Sequence, residues 1–217
     1  MRYDRLVAEW LASGRSSTYG VPTADITVVE LVAGYLAYAK RYYGVGKRGT
    51  YANMKRGVGP LKKLYGRTPA AEFGILQFKA IRQGLIGENL SRPYVNELMR
   101  RIVAVFRWGA SEELIPAAVP QTLAIIPGLR KGRSGVREPA PVKPVDLAVV
   151  DQTLPHLSSV VMAIVKLQML TGCRPGELCA LRPIDVDRSG DVWEAKLTNH
   201  KTAIHDHDRT IYIGPLT

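Results

Sequence analysis

Across residues 28–43 the apolar positions Val28, Leu31, Val32, Tyr35, Leu36 and Ala39 recur three or four apart, which predicts an amphipathic helix. Lys40 and Arg41 close it at the end where the helix dipole favours cations. A second stripe, Tyr51, Met54, Val58, Leu61 and Tyr65, runs over 50–65, and Gly57, Gly59 and Pro60 inside it predict a kink or break. Residues 70–84 predict a third helix. Residues 91–113 predict a fourth, with Ser91 as its cap, Pro93 soon after, and Leu98, Ile102, Val105 and Phe106 as its core stripe. Four helices with short connections predict a small bundle.

From 127 to 144 the periodicity stops. The stretch "PGLRKGRSGVREPAPVKP" holds four prolines and three glycines among alternating basic residues, the composition of an extended linker. Beyond it, 145–154 and 158–170 predict helices. The second, around "VVMAIVKLQML", is apolar nearly all round, which predicts burial. After a short helix that follows Arg174, the period changes to two, with strands expected at 184–187, 192–197 and 209–213 and a turn at "DRSGD". The expected architecture is mainly α with a small β-hairpin or sheet. It falls into a helical domain over 1–126, a linker over 127–144 and a mixed domain over 145–217.

Charge sharpens this division. Residues 1–130 carry 19 Lys/Arg against 9 Asp/Glu, a net +10, whereas 131–217 carry 11 against 10, a net +1. A basic first half on a balanced second half points to a polyanionic partner for the first. Lys55, Arg56, Lys62 and Lys63 decorate the second helix, and Arg100 and Arg107 lie on the face of the fourth helix opposite its core stripe. These six are the expected nucleic-acid contacts. Tyr35, Tyr38, Tyr42, Tyr43 and Tyr51 could stack on bases, but their helical spacing fits core and rim.

No apolar run approaches the length of a membrane span, and no signal-peptide core interrupts the charged first 20 residues. The two cysteines, Cys173 and Cys179, fit neither a zinc knuckle nor a disulfide framework, so a cytoplasmic setting and no membrane partner are expected. His200, His205 and His207 crowd one stretch with Asp206 and Asp208, yet strand alternation would split them between faces, so no metal is expected.

The segment "TGCRPGELCAL" at 171–181 places Arg174 directly before Pro175 and Glu177. Proline marks a first helical position, and a glutamate in the first turn meets free backbone N–H groups. Neither explains a cation at the positive end of a helix. A guanidinium fork matches two phosphate oxygens, so an anion contact is the functional reading and an Arg174–Glu177 ion pair the structural one.

A basic four-helix domain, a linker, an apolar helix, then "TGCRPGELCALRPIDVD" and "NHKTAIHDHDRTIYIG" together resemble the tyrosine recombinases, or phage-type integrases. The resemblance covers nearly the whole chain. It implies a DNA-clamping core-binding domain followed by the first part of an α+β catalytic domain. By resemblance Arg174 binds the scissile phosphate, Glu177 supports it, and Lys201 protonates the leaving 5′ oxygen. The family works without metal or nucleotide, so no cofactor is expected, and the implied partners are double-stranded DNA and other recombinase protomers on it. The family's later His-x-x-Arg motif, a further His or Trp and the nucleophilic tyrosine find no match here, and Tyr212, inside an expected strand, is not assigned that role. The expectation is therefore a truncated recombinase that binds DNA for strand cleavage and rejoining but is catalytically incomplete alone. The alternative is a non-catalytic DNA-binding protein that competes with or regulates an intact recombinase.

Overall fold

Thr27 opens the first strongly specified helix. Its hydroxyl accepts from the Glu30 backbone N–H, and the Glu30 carboxylate reaches back to the Thr27 backbone N–H at 2.9 Å. This reciprocal cap satisfies two of the helix's unpaired donors. In the computed structural model, which describes residues 2–12, 26–44, 49–197 and 209–214, the chain divides into two units, Met1–Pro141 and Val142–Thr217. The division falls inside the stretch read as a linker.

Unit 1 is helical. After α1 (Arg2–Ala12) come α2 (Val28–Tyr43), α3 (Thr50–Gly57), α4 (Gly59–Tyr65), α5 (Ile75–Gly87), α6 (Arg92–Ser111) and α7 (Ala118–Ala124). The expected helix over 28–43 is α2. The stripe over 50–65 is broken at Val58 into α3 and α4, as its glycines and proline required. The helix expected over 70–84 is corrected: a 3-10 turn at Ala70–Glu72 precedes α5, because Phe73 and Gly74 are extended and Gln77 caps the Gly74 N–H at 3.2 Å. Ser91 sits at the N-cap of α6 but makes no side-chain cap bond; the Arg92 N–H donates instead to the Arg137 carbonyl.

One apolar core joins α2 to α7. Leu31, Val32, Leu61, Ile81, Ile102 and Phe106 are all but inaccessible, and Phe73 stacks on Phe106 with centroids 4.7 Å apart. The α3–α6 crossing needs a glycine. A Cβ on Gly57 would lie 2.7 Å from Cδ of Arg101, whose guanidinium donates to the Asn53 carbonyl of α3 at 2.7 Å. The first part of the linker stretch is bound to this unit. Asn96 exchanges two hydrogen bonds with the Leu129 backbone (2.8 and 3.0 Å), Arg92 pairs with Glu138 at 2.5 Å, and Arg137 donates to the Asn89 carbonyl.

Unit 2 begins with α8 (Leu147–Thr153), capped by Asp146, and continues through α9 (Ser159–Thr171) and α10 (Pro175–Ala180). A three-stranded antiparallel sheet follows: β1 (Val186–Asp187), β2 (Trp193–Leu197) and β3 (Arg209–Ile213), in that order. The register pairs Ala195 with both Val186 and Ile211, and Leu197 with Arg209. The expected first strand is shorter than 184–187, since Pro183–Asp185 forms a 3-10 turn. Cys173, Leu178, Ala195 and Ile211 form the core, with Ile164 and Leu167 of α9 packed against it. The expected burial of α9 is corrected. Val160, Val161, Met169 and Leu170 are exposed, because the small core engages only one side of this apolar helix. Among the described residues no helix is long and apolar enough to cross a membrane.

Candidate functional site

Helix α9 stops at Gly172, whose φ of 64° turns the chain into the left-handed region that glycine adopts freely. Cys173 then dives into the core, and Arg174 follows in extended conformation as the N-cap of α10. Pro175 takes the first helical position, where its missing N–H costs nothing. Glu177, three residues past the cap, turns back, and its Oε2 accepts from the Arg174 backbone N–H at 2.9 Å. That is the carboxylate half of a capping box; an arginine has no acceptor with which to return the other half.

The same carboxylate gathers two guanidinium groups. Arg174 Nη1 donates to Oε1 at 2.8 Å, and Arg209 Nη2, from the first residue of β3, lies 3.1 Å from Oε2. Glu177 is 5% exposed and is the one buried charged residue among those described, while the Arg174 and Arg209 side chains are 48% and 35% exposed. Burial by itself would raise the Glu177 carboxyl. The Arg174 N–H and guanidinium, then the Arg209 charge, outweigh it and hold the group below the usual carboxylate range. Two cations on one carboxylate leave a net positive site, and among the described residues the other guanidinium nitrogens of Arg174 have no protein acceptor. The arrangement is able to receive an anion.

A local control lies eight residues on. "RPID" at 182–185 repeats the Arg-Pro-x-acid pattern of "RPGE", and Arg182 pairs with Asp185 through both carboxylate oxygens. There the arginine is 71% exposed, and no second cation is paired with Asp185 among the described residues. The local motif is shared; the buried carboxylate and second arginine are not.

Lys201 lies outside the described residues, as do His200, His205, Asp206, His207 and Asp208. Among the described residues no group of three or more His, Cys, Asp or Glu gathers for a metal. Tyr212 is 60% exposed, on the face of β3 opposite to Arg209 and Ile211, so it does not share the Arg174 site.

In unit 1, Lys55 and Arg56 are exposed at the end of α3, Lys62 and Lys63 are exposed on α4, and Arg100 and Arg107 are exposed on α6. Lys62, Lys63 and Arg67 line a shallow open depression with Tyr65 and Thr68. Arg100 and its neighbour Arg101 both pair with Glu97. Of the tyrosines, Tyr35 is buried with its hydroxyl on the Met54 sulfur, and burial pushes that phenol up to about 12. Tyr38 stacks between Trp108 and the exposed Tyr42.

No family model matches the chain, and no curated protein matches it. Two solved structures of the Tn1549 transposon integrase, each in complex with a circular-intermediate DNA, are similar to it. The first covers 87% of this chain at 21% identity with a TM-score of 0.57; the second covers 86% at 21% identity with a TM-score of 0.51. The chain shares the fold of these integrase chains. It spans 62% and 60% of the two solved integrase chains.

Sequence reasoning missed Arg209. Strand parity was the available signal: positions 209, 211 and 213 share a face, Ile211 is a core residue and Ile213 packs against the core, so a cation at 209 faces the core side. It also missed Arg101, which is a tie between α3 and α6 rather than a surface charge.

Proposed function

We propose that this protein is a DNA-binding recombinase of the tyrosine class. Unit 1 clamps duplex DNA through Lys55, Arg56, Lys62, Lys63, Arg100 and Arg107, and Arg174, supported by Glu177, receives a backbone phosphate. The observation that carries this reading is the geometry of Arg174: its base is fixed by a buried carboxylate while half of its side chain faces solvent. The shared fold with a DNA-bound integrase and the net +10 of residues 1–130 support it. Phosphoryl transfer is mostly positioning and charge stabilisation, which is what a held guanidinium supplies. Lys201 takes the role of proton donor to the leaving 5′ oxygen, other copies of the chain on the same DNA are its partners, and neither metal nor nucleotide takes part.

Titration of duplex DNA at several salt concentrations tests this. Log affinity should fall against log salt by about 0.9 per phosphate contact, and Arg174→Lys should weaken binding although the charge is kept, because lysine lacks the planar fork. Salt-insensitive binding, or an Arg174→Lys affinity equal to wild type, refutes it.

A further inference from the structure

We propose that Arg209 is a positioning residue of the Arg174 site: by gripping the second oxygen of Glu177 it keeps that carboxylate paired while the Arg174 guanidinium turns to a phosphate. The proposal rests on the reading of Arg174 as a phosphate contact and goes beyond it by assigning a role to a residue of a different element.

The geometry divides the labour on Glu177. Among the described residues Oε1 accepts from Arg174 Nη1 alone, and Oε2 accepts from the Arg174 backbone N–H and lies against Arg209 Nη2. Consider the site without Arg209. Arg174 would be the sole cation on a buried carboxylate, and an incoming phosphate would have to take it away from Glu177. That leaves a charge buried at 5% exposure without a cationic partner, which is strongly unfavourable. With Arg209 on Oε2, Glu177 stays paired whichever way the Arg174 fork points. Arg174 is then both fixed at its backbone and free at its head.

Arg209 is suited to this and to little else. It is the first residue of β3, paired in register with Leu197, and it projects to the same side as the buried Ile211. A cation on the core side of a strand is costly unless paired. Its Nε is buried and has no acceptor among the described residues, so among these it is Glu177 that holds the guanidinium. The tie also joins the sheet to the start of α10, which fixes the direction from which Arg174 leaves the backbone. The Arg182–Asp185 pair has the same local sequence but, among the described residues, no second arginine on its carboxylate.

The test uses the full chain and duplex DNA. The readout is the slope of log affinity against log salt for wild type, Arg174→Gln, Arg209→Gln and the double variant, with Arg182→Gln as control. One phosphate contact is worth about 0.9 in slope. Arg174→Gln should lower the slope by about 0.9, Arg209→Gln should lower it equally, and the double variant should lower it no further, because both remove the same contact. Affinity should fall about tenfold with Arg209→Gln and by no more than about twofold when Arg174 is already gone. Arg182→Gln should leave the slope unchanged.

Where Arg209→Gln alone fails to fold, Glu177→Gln and Glu177→Gln/Arg209→Gln give the answer, since no buried charge is then stranded. Their slopes should be equal. An Arg209→Gln slope equal to wild type, with Arg174→Gln lowered, overturns the proposal and leaves the phosphate reading standing. Losses that add in the double variant, or in the Glu177→Gln background, overturn it in favour of direct contact by Arg209. An unchanged slope in Arg174→Gln overturns the phosphate reading, and the proposal with it.

Discussion

Glu177→Ala is the perturbation with the most to say about unit 2. It removes a hydrogen bond to the Arg174 N–H and the shared anion of Arg174 and Arg209. The cap-type bond contributes about 1 kcal/mol. The two ion pairs would contribute more if wholly buried, but the arginine side chains are 48% and 35% exposed, so solvent reduces each to about 0.5 kcal/mol. The expected loss is about 2 kcal/mol, which for a unit of this size lowers Tm by roughly 8–16 °C. Glu177→Gln keeps an acceptor for the N–H and should lose about half of that. Thermal unfolding followed by circular dichroism gives the size of the effect, and hydrogen exchange locates it. Amides of α10 and β3 should exchange about 30-fold faster in Glu177→Ala, while those of α2 and α6 should not change. The pH dependence has a defined sign. The folded carboxyl is held below its ordinary value, so its stabilisation is present above the ordinary carboxylate range and is lost as the pH falls through the lowered folded value. Wild type and Glu177→Gln should therefore converge in Tm as the pH falls through that lowered folded value. A Glu177→Ala Tm within about 2 °C of wild type near neutrality would refute the claim that this carboxylate organises the site.

Phe106→Ala removes a fully buried ring stacked on Phe73 and should cost about 3–5 kcal/mol, measured by denaturant unfolding of unit 1. Gly172→Ala places a side chain at φ 64° and should cost about 1 kcal/mol, seen as faster exchange at the end of α9. Arg100→Gln and Arg101→Gln should part company: the exposed Arg100 loses salt-dependent DNA affinity at unchanged Tm, whereas Arg101, tied to the Asn53 carbonyl, loses Tm first.

What the sequence made legible, and what it hid, follows from the range of the forces involved. Helix α2 was readable because its stripe and its Thr27–Glu30 cap act within a few residues of one another. The α3–α4 break was readable because Gly57, Gly59 and Pro60 act on their own backbone. The apolar helix over 158–170 was misread because burial depends on what packs against it, and the small second core engages only one side. The candidate site shows the limit most sharply. "RPGE" and "RPID" spell the same local device, and in both an acid three residues on folds back to the preceding arginine. Nothing inside either tetrapeptide says which acid will be buried. That is decided by β3, whose parity carries Arg209 to Glu177 across 32 residues of chain, while Asp185 meets solvent. A sequence pattern can therefore propose that an arginine meets a phosphate. Whether that arginine is free to do so depends on a second cation that only the pairing of distant strands brings within reach.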